Sequence, residues 1–204
     1  MEIIWLGHAC FALESEGYRI VLDPYTMEGY PPLQTFADEV LCSHGHADHN
    51  FIEAVRLSEG KNSPFTVEKV RTFHDEQGGA LRGNNTMHIL RAEGLTVVHC
   101  GDLGHFPTEE QLAAISGADA LLIPVGGYFT IDAPMAKRVA DAAKARVIVP
   151  MHYRHGPFGL RQVGTLNEFT QLYHNDQVQY LTGNYFALTP QEPKGVIVPG
   201  YLES

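Results

Sequence analysis

The segment Ser43-His44-Gly45-His46-Ala47-Asp48-His49-Asn50 sets four metal-ligating or proton-handling side chains between positions 44 and 49. In an extended segment His44 and His46 project to one side, because alternate residues share a face. Gly45 and Ala47 are small enough for the backbone to turn closely around an ion, and Asp48 and His49 then point elsewhere, toward a second ion. Packing alone accounts poorly for such a cluster. Protonated imidazoles would repel one another, and burying them with Asp48 without a ligand would cost free energy. The chemistry that fits is the binding of two divalent ions.

Two ions need further ligands, and three residues that follow apolar, strand-like runs are candidates. They are His74 after Thr72-Phe73, Asp102 after His99-Cys100-Gly101, and His152 after Val149-Pro150-Met151. Strand ends are where α/β proteins place their sites. A divalent pair would bring the pKa of a bridging water down from 15.7 to about 7 and clamp the attacking and leaving oxygens. Asp48 is the expected catalytic carboxylate, orienting that hydroxide and carrying its proton. His8, in the turn Gly7-His8-Ala9, and His105 are candidates to donate a proton to a leaving group or to hydrogen-bond substrate, the competing role for each being to support a metal ligand or cap the backbone. Arg82, among the glycines of the 78–83 stretch, is a candidate to hold a carboxylate or phosphate, a structural salt bridge being its other use. Tyr153 and the Gly126-Gly127-Tyr128 turn are candidates to line the pocket, and Asp23 to orient a ligand imidazole.

The elements that must position these residues can be read from periodicity. Ile3 to Leu6, Cys10 to Glu14 and Tyr18 to Leu22 read as antiparallel strands, with Ser15-Glu16-Gly17 as a turn. Val40 to Cys42 is a short strand running into the His cluster, the 50–58 stretch has helical spacing, and Phe65 to Phe73 is strand-like. Met87 to Cys100 reads as a hairpin turning at Ala92-Glu93-Gly94. Thr108-Glu109-Glu110-Gln111 and Thr165-Leu166-Asn167-Glu168 are capping boxes that open helices, and the 133–144 stretch is amphipathic. Apolar runs at 119–125 and 147–150 read as buried strands, with further extended segments at 179–182 and 195–198. Strands first, then strand–helix alternation, predict one layered α/β domain over residues 1–204, sheets inside and helices outside.

Composition narrows the partners. The 204 residues carry a formal charge of −10, which argues against nucleic acid as the substrate, because polyanion binding needs a basic surface. A small-molecule substrate, anionic ones included, remains compatible because a metal pair supplies local positive charge. The scattered Cys10, Cys42 and Cys100 are odd in number and form no disulfide framework. No apolar run approaches the roughly 18 residues of a membrane span, and the N-terminus lacks a secretory pattern, so a cytoplasmic location is expected.

The order His-X-His-X-Asp-His, then a lone His, a Gly-Asp and a late His resembles the metallo-β-lactamase superfamily. The likeness runs from Trp5-Leu6-Gly7 through Leu22-Asp23-Pro24 to His152. It implies an αββα four-layer sandwich, with His44, His46 and His74 on one metal, Asp48, His49 and His152 on the other, and Asp102 bridging. Zinc is the expected metal, with manganese, iron and nickel as alternatives. Gly7-His8-Ala9 and Gly101-Asp102-Leu103-Gly104-His105 look like the small bacterial zinc-dependent hydrolases related to ascorbate-phosphate lactonase and N-acyl-phosphatidylethanolamine phospholipase D. The expected activity is hydrolysis of an ester, lactone or phosphodiester of a small substrate. A ribonuclease-Z-like nuclease and a mononuclear iron oxygenase on the same fold are the competing readings.

Overall fold

Two patterns of apolar residues build two sheets. In the computed structural model, which describes residues 1–201, the alternating N-terminal run folds as β1 (Glu2–Gly7), β2 (Cys10–Ser15) and β3 (Tyr18–Leu22), consecutive and antiparallel. β5 (Glu39–Leu41) joins β3 in parallel and β13 (Tyr185–Ala187) pairs with β1, completing a five-stranded sheet. β4 (Thr35–Ala37) and β6 (Val55–Leu57) form a separate two-stranded piece.

The second sheet has seven strands in the order β12-β14-β11-β10-β9-β8-β7. Its edge is antiparallel: β7 (Thr66–Phe73), β8 (Asn84–Ala92) and β9 (Leu95–His99). Glu93 and Gly94 link β8 to β9 with φ of 55° and 73°, the two positive angles that a tight hairpin turn needs to match strand twist. β10 (Ala120–Pro124) and β11 (Val147–Met151) are buried at every position and pair in parallel, the signature of strands covered on both faces. β14 (Gly195–Val198) and β12 (Val178–Tyr180) extend the parallel part.

The sheets meet through one apolar core. Phe11 of β2 lies 6.1 Å from His99 of β9, whose Nε2 donates to the Ala9 carbonyl at 2.8 Å while Nδ1 accepts from Gly101 N. Helix α2 (Ala133–Ala143) buries Ala136, Val139, Ala140 and Ala143, packs on β10, and is flanked by α1 (Glu109–Ile115) and α3 (Leu166–Thr170). Both capping boxes are formed, with Thr108 facing Gln111 and Thr165 facing Glu168. A second apolar cluster, including Ala12, Val21, Tyr25, Tyr30 and Val55, brings the 24–37 and 52–57 stretches onto the five-stranded sheet. The result is the expected α/β sandwich.

One element differs from expectation. The 50–58 stretch is a single 3₁₀ turn, Ile52–Ala54, followed by β6, rather than a helix. Phe51 and Val55 have helical spacing, but the register Thr35↔Val55, Phe36↔Arg56, Ala37↔Leu57 gives this segment a sheet partner that local sequence does not disclose. Among the described residues no helix is long and apolar enough to cross a membrane.

Candidate metal centre

Each candidate ligand stands just beyond the C-terminal end of a strand. His8 follows β1, Asp23 follows β3, the cluster from Ser43 follows β5, His74 follows β7, Asp102 follows β9, and His152 follows β11. His8, Asp23 and His152 hold left-handed backbone conformations, with φ of 51°, 48° and 53°. Non-glycine residues rarely hold such angles, and the strain is retained where the surrounding structure fixes a side chain for use.

Two glycines let the strand ends close on one another. A Cβ on Gly101 would overlap Ser43 and Asn85, and one on Gly104 would overlap the backbone of His74 and Asp75. Without these approaches, Asp102 could not reach both the 43–49 segment and His74.

The donor atoms fall into interlocking groups. His44, His46 and His74 converge within 4.8 Å of one another, as do His8, Asp48, His49 and His152, and as do His44, His49 and Asp102. Asp102 links them. Its Oδ2 lies 3.1 Å from His74 Nε2, 3.3 Å from His152 Nε2 and 4.0 Å from His44 Nε2, and its Oδ1 lies 3.2 Å from His49 Nε2. Asp48 Oδ2 is 3.7 Å from His8 Nε2 and 3.8 Å from His49 Nε2. The candidate ligands of both ions are thus brought together, and His8 joins the Asp48 group.

Buried polar atoms test whether a metal suits this place. His8 Nε2, His44 Nε2, His49 Nε2 and Asp102 Oδ1 are buried with no hydrogen-bond partner. Leaving a buried polar atom unsatisfied costs about 1–3 kcal/mol. A divalent ion removes that cost by accepting their lone pairs. The set is imidazole and carboxylate with no thiolate, which suits zinc, manganese, iron or nickel.

The electrostatics agree. Burial, reinforced by His152, lowers the His8 pKa to about 4 against the pull of Asp48, and burial with His49 does the same to His44. Both are therefore neutral lone-pair donors at pH 7. Burial alone would raise the pKa of Asp102, yet His152 and His49 outweigh it and hold the carboxylate well below its ordinary range. Burial likewise opposes protonation of His49, but Asp102 and Asp23 on its two sides win and raise it well above the usual value. A group of anions that stabilises a buried proton marks a place where positive charge is favoured.

Further residues hold the ligands. Asp23, fully buried, accepts from Ser43 N and Ser43 Oγ at 2.6 Å and contacts His49 Nδ1 at 2.8 Å, the orienting contact expected of it. Asn85 was not foreseen. Its Oδ1 accepts from Asp102 N at 2.9 Å, while its Nδ2 donates to Thr72 Oγ1 and the Cys100 carbonyl. A polar residue in a buried strand opposite a candidate ligand was the available signal.

Two expected residues lie elsewhere. His105 Nε2 accepts from Phe73 N at 3.2 Å and its Nδ1 donates to the Phe106 carbonyl at 2.8 Å. With both nitrogens engaged by backbone, it braces the end of β7 and has none left for proton transfer. Tyr153 is buried in the core, 5.8 Å from Trp5, and does not line the cavity over the ligands. That cavity is lined by His46, Asp48, His74, Asp102 and His152 together with Arg82, Phe129 and Leu160. Arg82 is the sequence candidate found there. Phe129 and Leu160 were missed, since aromatic and aliphatic loop residues carry no positional signal of their own. Tyr128 is 63% exposed and lines the adjoining cavity, not this one.

The family model of the beta-lactamase superfamily domain matches residues 2–152. A protein of Carboxydothermus hydrogenoformans named UPF0173 metal-dependent hydrolase is 30% identical, covering 82% of this chain and 91% of that protein. One of the same name from Methanoculleus marisnigri is 32% identical, covering 83% and 87%. A crystal structure from Thermotoga maritima, described as a zinc-dependent hydrolase of the metallo-β-lactamase superfamily, is 36% identical with a TM-score of 0.76, covering 97% and 98%. The strand-end ligand order, the paired sheets and these likenesses along nearly the whole chain place it as a member of the metallo-β-lactamase superfamily.

Proposed function

We propose that the chain is a metal-dependent hydrolase of small substrates that works with two divalent ions, zinc foremost. His44, His46 and His74 would hold one ion and Asp48, His49 and His152 the other, with Asp102 in reach of both sets. Bound there, the ions supply a water of pKa about 7 and polarise the oxygen of a carbonyl or phosphoryl group. The observation that carries this reading is Asp102, whose two oxygens lie within 3.1–3.3 Å of His74, His152 and His49 from different strand ends.

The chain's own groups do the rest. Although burial opposes it, the neighbouring His8 and His49 hold the Asp48 carboxyl well below the usual carboxylate range. An ionised carboxylate lining the cavity can accept a hydrogen bond from water and so orient it toward a carbonyl or phosphoryl group. His8, neutral and 3.7 Å from that oxygen, acts as a proton acceptor or a further ligand, not as the acid expected from its position in sequence. Phe129 and Leu160 give the cavity an apolar wall, which lowers the local dielectric and strengthens each of these interactions.

The test is turnover of an ester, a lactone and a phosphodiester by protein stripped of metal and reloaded with zinc, manganese, iron or nickel. Hydrolysis that disappears on stripping and returns on loading supports the proposal. Turnover by metal-free protein overturns it. Activity on RNA above that on small phosphodiesters would favour the nuclease, and dependence on a single iron the oxygenase.

A further inference from the structure

The cavity over the ligands has a volume of about 190 Å³, room for roughly six waters at ~30 Å³ each. That is below the ~300–1,000 Å³ of typical small-molecule sites. A second lobe of about 330 Å³ adjoins it, and Arg82 and Phe129 line both. A substrate of ordinary size must therefore lie across the junction between them.

The junction is built for this. Asp75 is buried and accepts from the backbone N–H groups of Gln77, Gly79, Leu81 and Arg82 at 2.8–3.0 Å, which fixes the loop carrying Arg82. The Arg82 guanidinium donates to the Tyr128 carbonyl at 3.1 Å and lies 5.6 Å from the Phe129 ring centre. Tyr128 holds a φ of 61°, and the turn around it is closed by the Gly126↔Asp132 bridge, so Phe129 is presented on a constrained loop. Among the described residues Arg82 has no carboxylate partner. The acids around the outer lobe do not offset it equally. Asp75 is occupied by its loop, Asp132 accepts from Met135 N at the start of α2, and Glu76 lines only the outer lobe.

We propose that the substrate is a small ester bearing an oxyanion, carboxylate or phosphate-type, one short apolar spacer from the scissile carbonyl. Arg82 grips the oxyanion, and Phe129 and Leu160 enclose the spacer. The assignment rests on the hydrolase reading and adds the substrate class to it. The guanidinium fork suits this role because its planar donors match an oxyanion and its position is already fixed before binding. Hydrolysis joins the oxygen of one water to the acyl carbon and breaks the ester C–O bond. One water proton ends on the leaving alcohol oxygen and the other is released as the product acid ionises.

The experiment uses zinc-loaded full-length protein and pairs of esters matched in length. Methyl hydrogen glutarate is set against methyl pentanoate, and 4-acetoxybutanoate against butyl acetate, so the oxyanion is tried on each side of the carbonyl. Methyl 4-phosphonobutanoate separates a phosphate-type group from a carboxylate. We expect kcat/KM for at least one anionic ester to exceed that of its neutral partner by about ten- to a hundredfold, the worth of a charged hydrogen-bond pair, and Arg82→Gln to abolish the ratio. Calorimetry is the second readout: glutarate should bind the loaded protein about tenfold more tightly than pentanoate, and Arg82→Gln should equalise them. Anionic and neutral partners that behave alike, or a preference that survives Arg82→Gln, would overturn the assignment. Metal-dependent turnover of all esters at one rate removes the oxyanion and leaves the hydrolase. A glutarate preference without turnover of any ester overturns the ester assignment and leaves the anion site.

Discussion

Replacing Asp23 by Asn tests how a residue outside the candidate ligand set controls one within it. Three donors face its two oxygens: Ser43 N, Ser43 Oγ and His49 Nδ1. An amide offers one acceptor and one donor group, so at least one contact must change. If the amide oxygen keeps Ser43 N, its NH₂ meets Ser43 Oγ, which can rotate to accept, and His49 Nδ1, which must then lose its proton. The imidazole proton moves to Nε2, the atom directed at Asp102. A protonated Nε2 has no lone pair for an ion. Disturbing the partner of a ligand imidazole typically costs 10–100-fold in metal affinity, or about 1.4–2.7 kcal/mol. Stability should fall as well. Burial opposes ionisation of Asp23, but His49, His99 and the hydrogen bonds from His49 and Ser43 lower its pKa from 3.8 to about 2. A lowered carboxylate pKa stabilises the fold above its unfolded value and loses that contribution as pH falls, here between about pH 4 and pH 2. The full contribution is about 2 kcal/mol. The assay is zinc competition against a chelator of known affinity, with Tm recorded from pH 7 down to pH 2. Equal zinc affinity in Asp23→Asn and the parent would refute control through the imidazole. An unchanged acid limb in Tm would refute the stability argument.

Asp102→Asn should weaken both ions by more than the ~10–100-fold typical of residues one bond behind a ligand, while circular dichroism shows the sheets intact; full metal content would remove Asp102 from the bridge. Gly104→Ala should lower stability by about 1–3 kcal/mol or more, because its methyl group meets the backbone of His74 and Asp75, and denaturant unfolding reads the loss. His105→Ala should cost about 1 kcal/mol through the lost acceptor for Phe73 N and leave kcat within a few-fold of the parent; a drop of orders of magnitude in kcat with an intact fold would restore His105 as a catalytic group.

The candidate ligands that the structure brings together were legible because two independent patterns coincide on them. His44 to His49 are dense in sequence, and His74, Asp102 and His152 each end an apolar run whose periodicity already declares a strand. Position after a strand, however, gives no direction. His105 and Tyr153 lie one to three residues beyond candidate ligands, yet one turns to the backbone and the other into the core. His8 shows the reverse, because its left-handed backbone swings the ring toward Asp48. Phe129 and Leu160 were invisible for another reason. Their positions follow from loop closure by Gly126↔Asp132 and His155↔Phe158, pairings between residues that show no periodic pattern. The 50–58 stretch failed through non-local pairing, since the partner of β6 lies 20 residues upstream.

Metal content measured on the same preparation as activity bears most directly on the centre. Protein purified without chelator and dialysed against zinc should carry two ions per chain, one for each imidazole group, and should lose hydrolysis as both are withdrawn. A chain that binds one ion or none at saturating zinc, or that hydrolyses its substrates equally well after complete removal, would contradict the account.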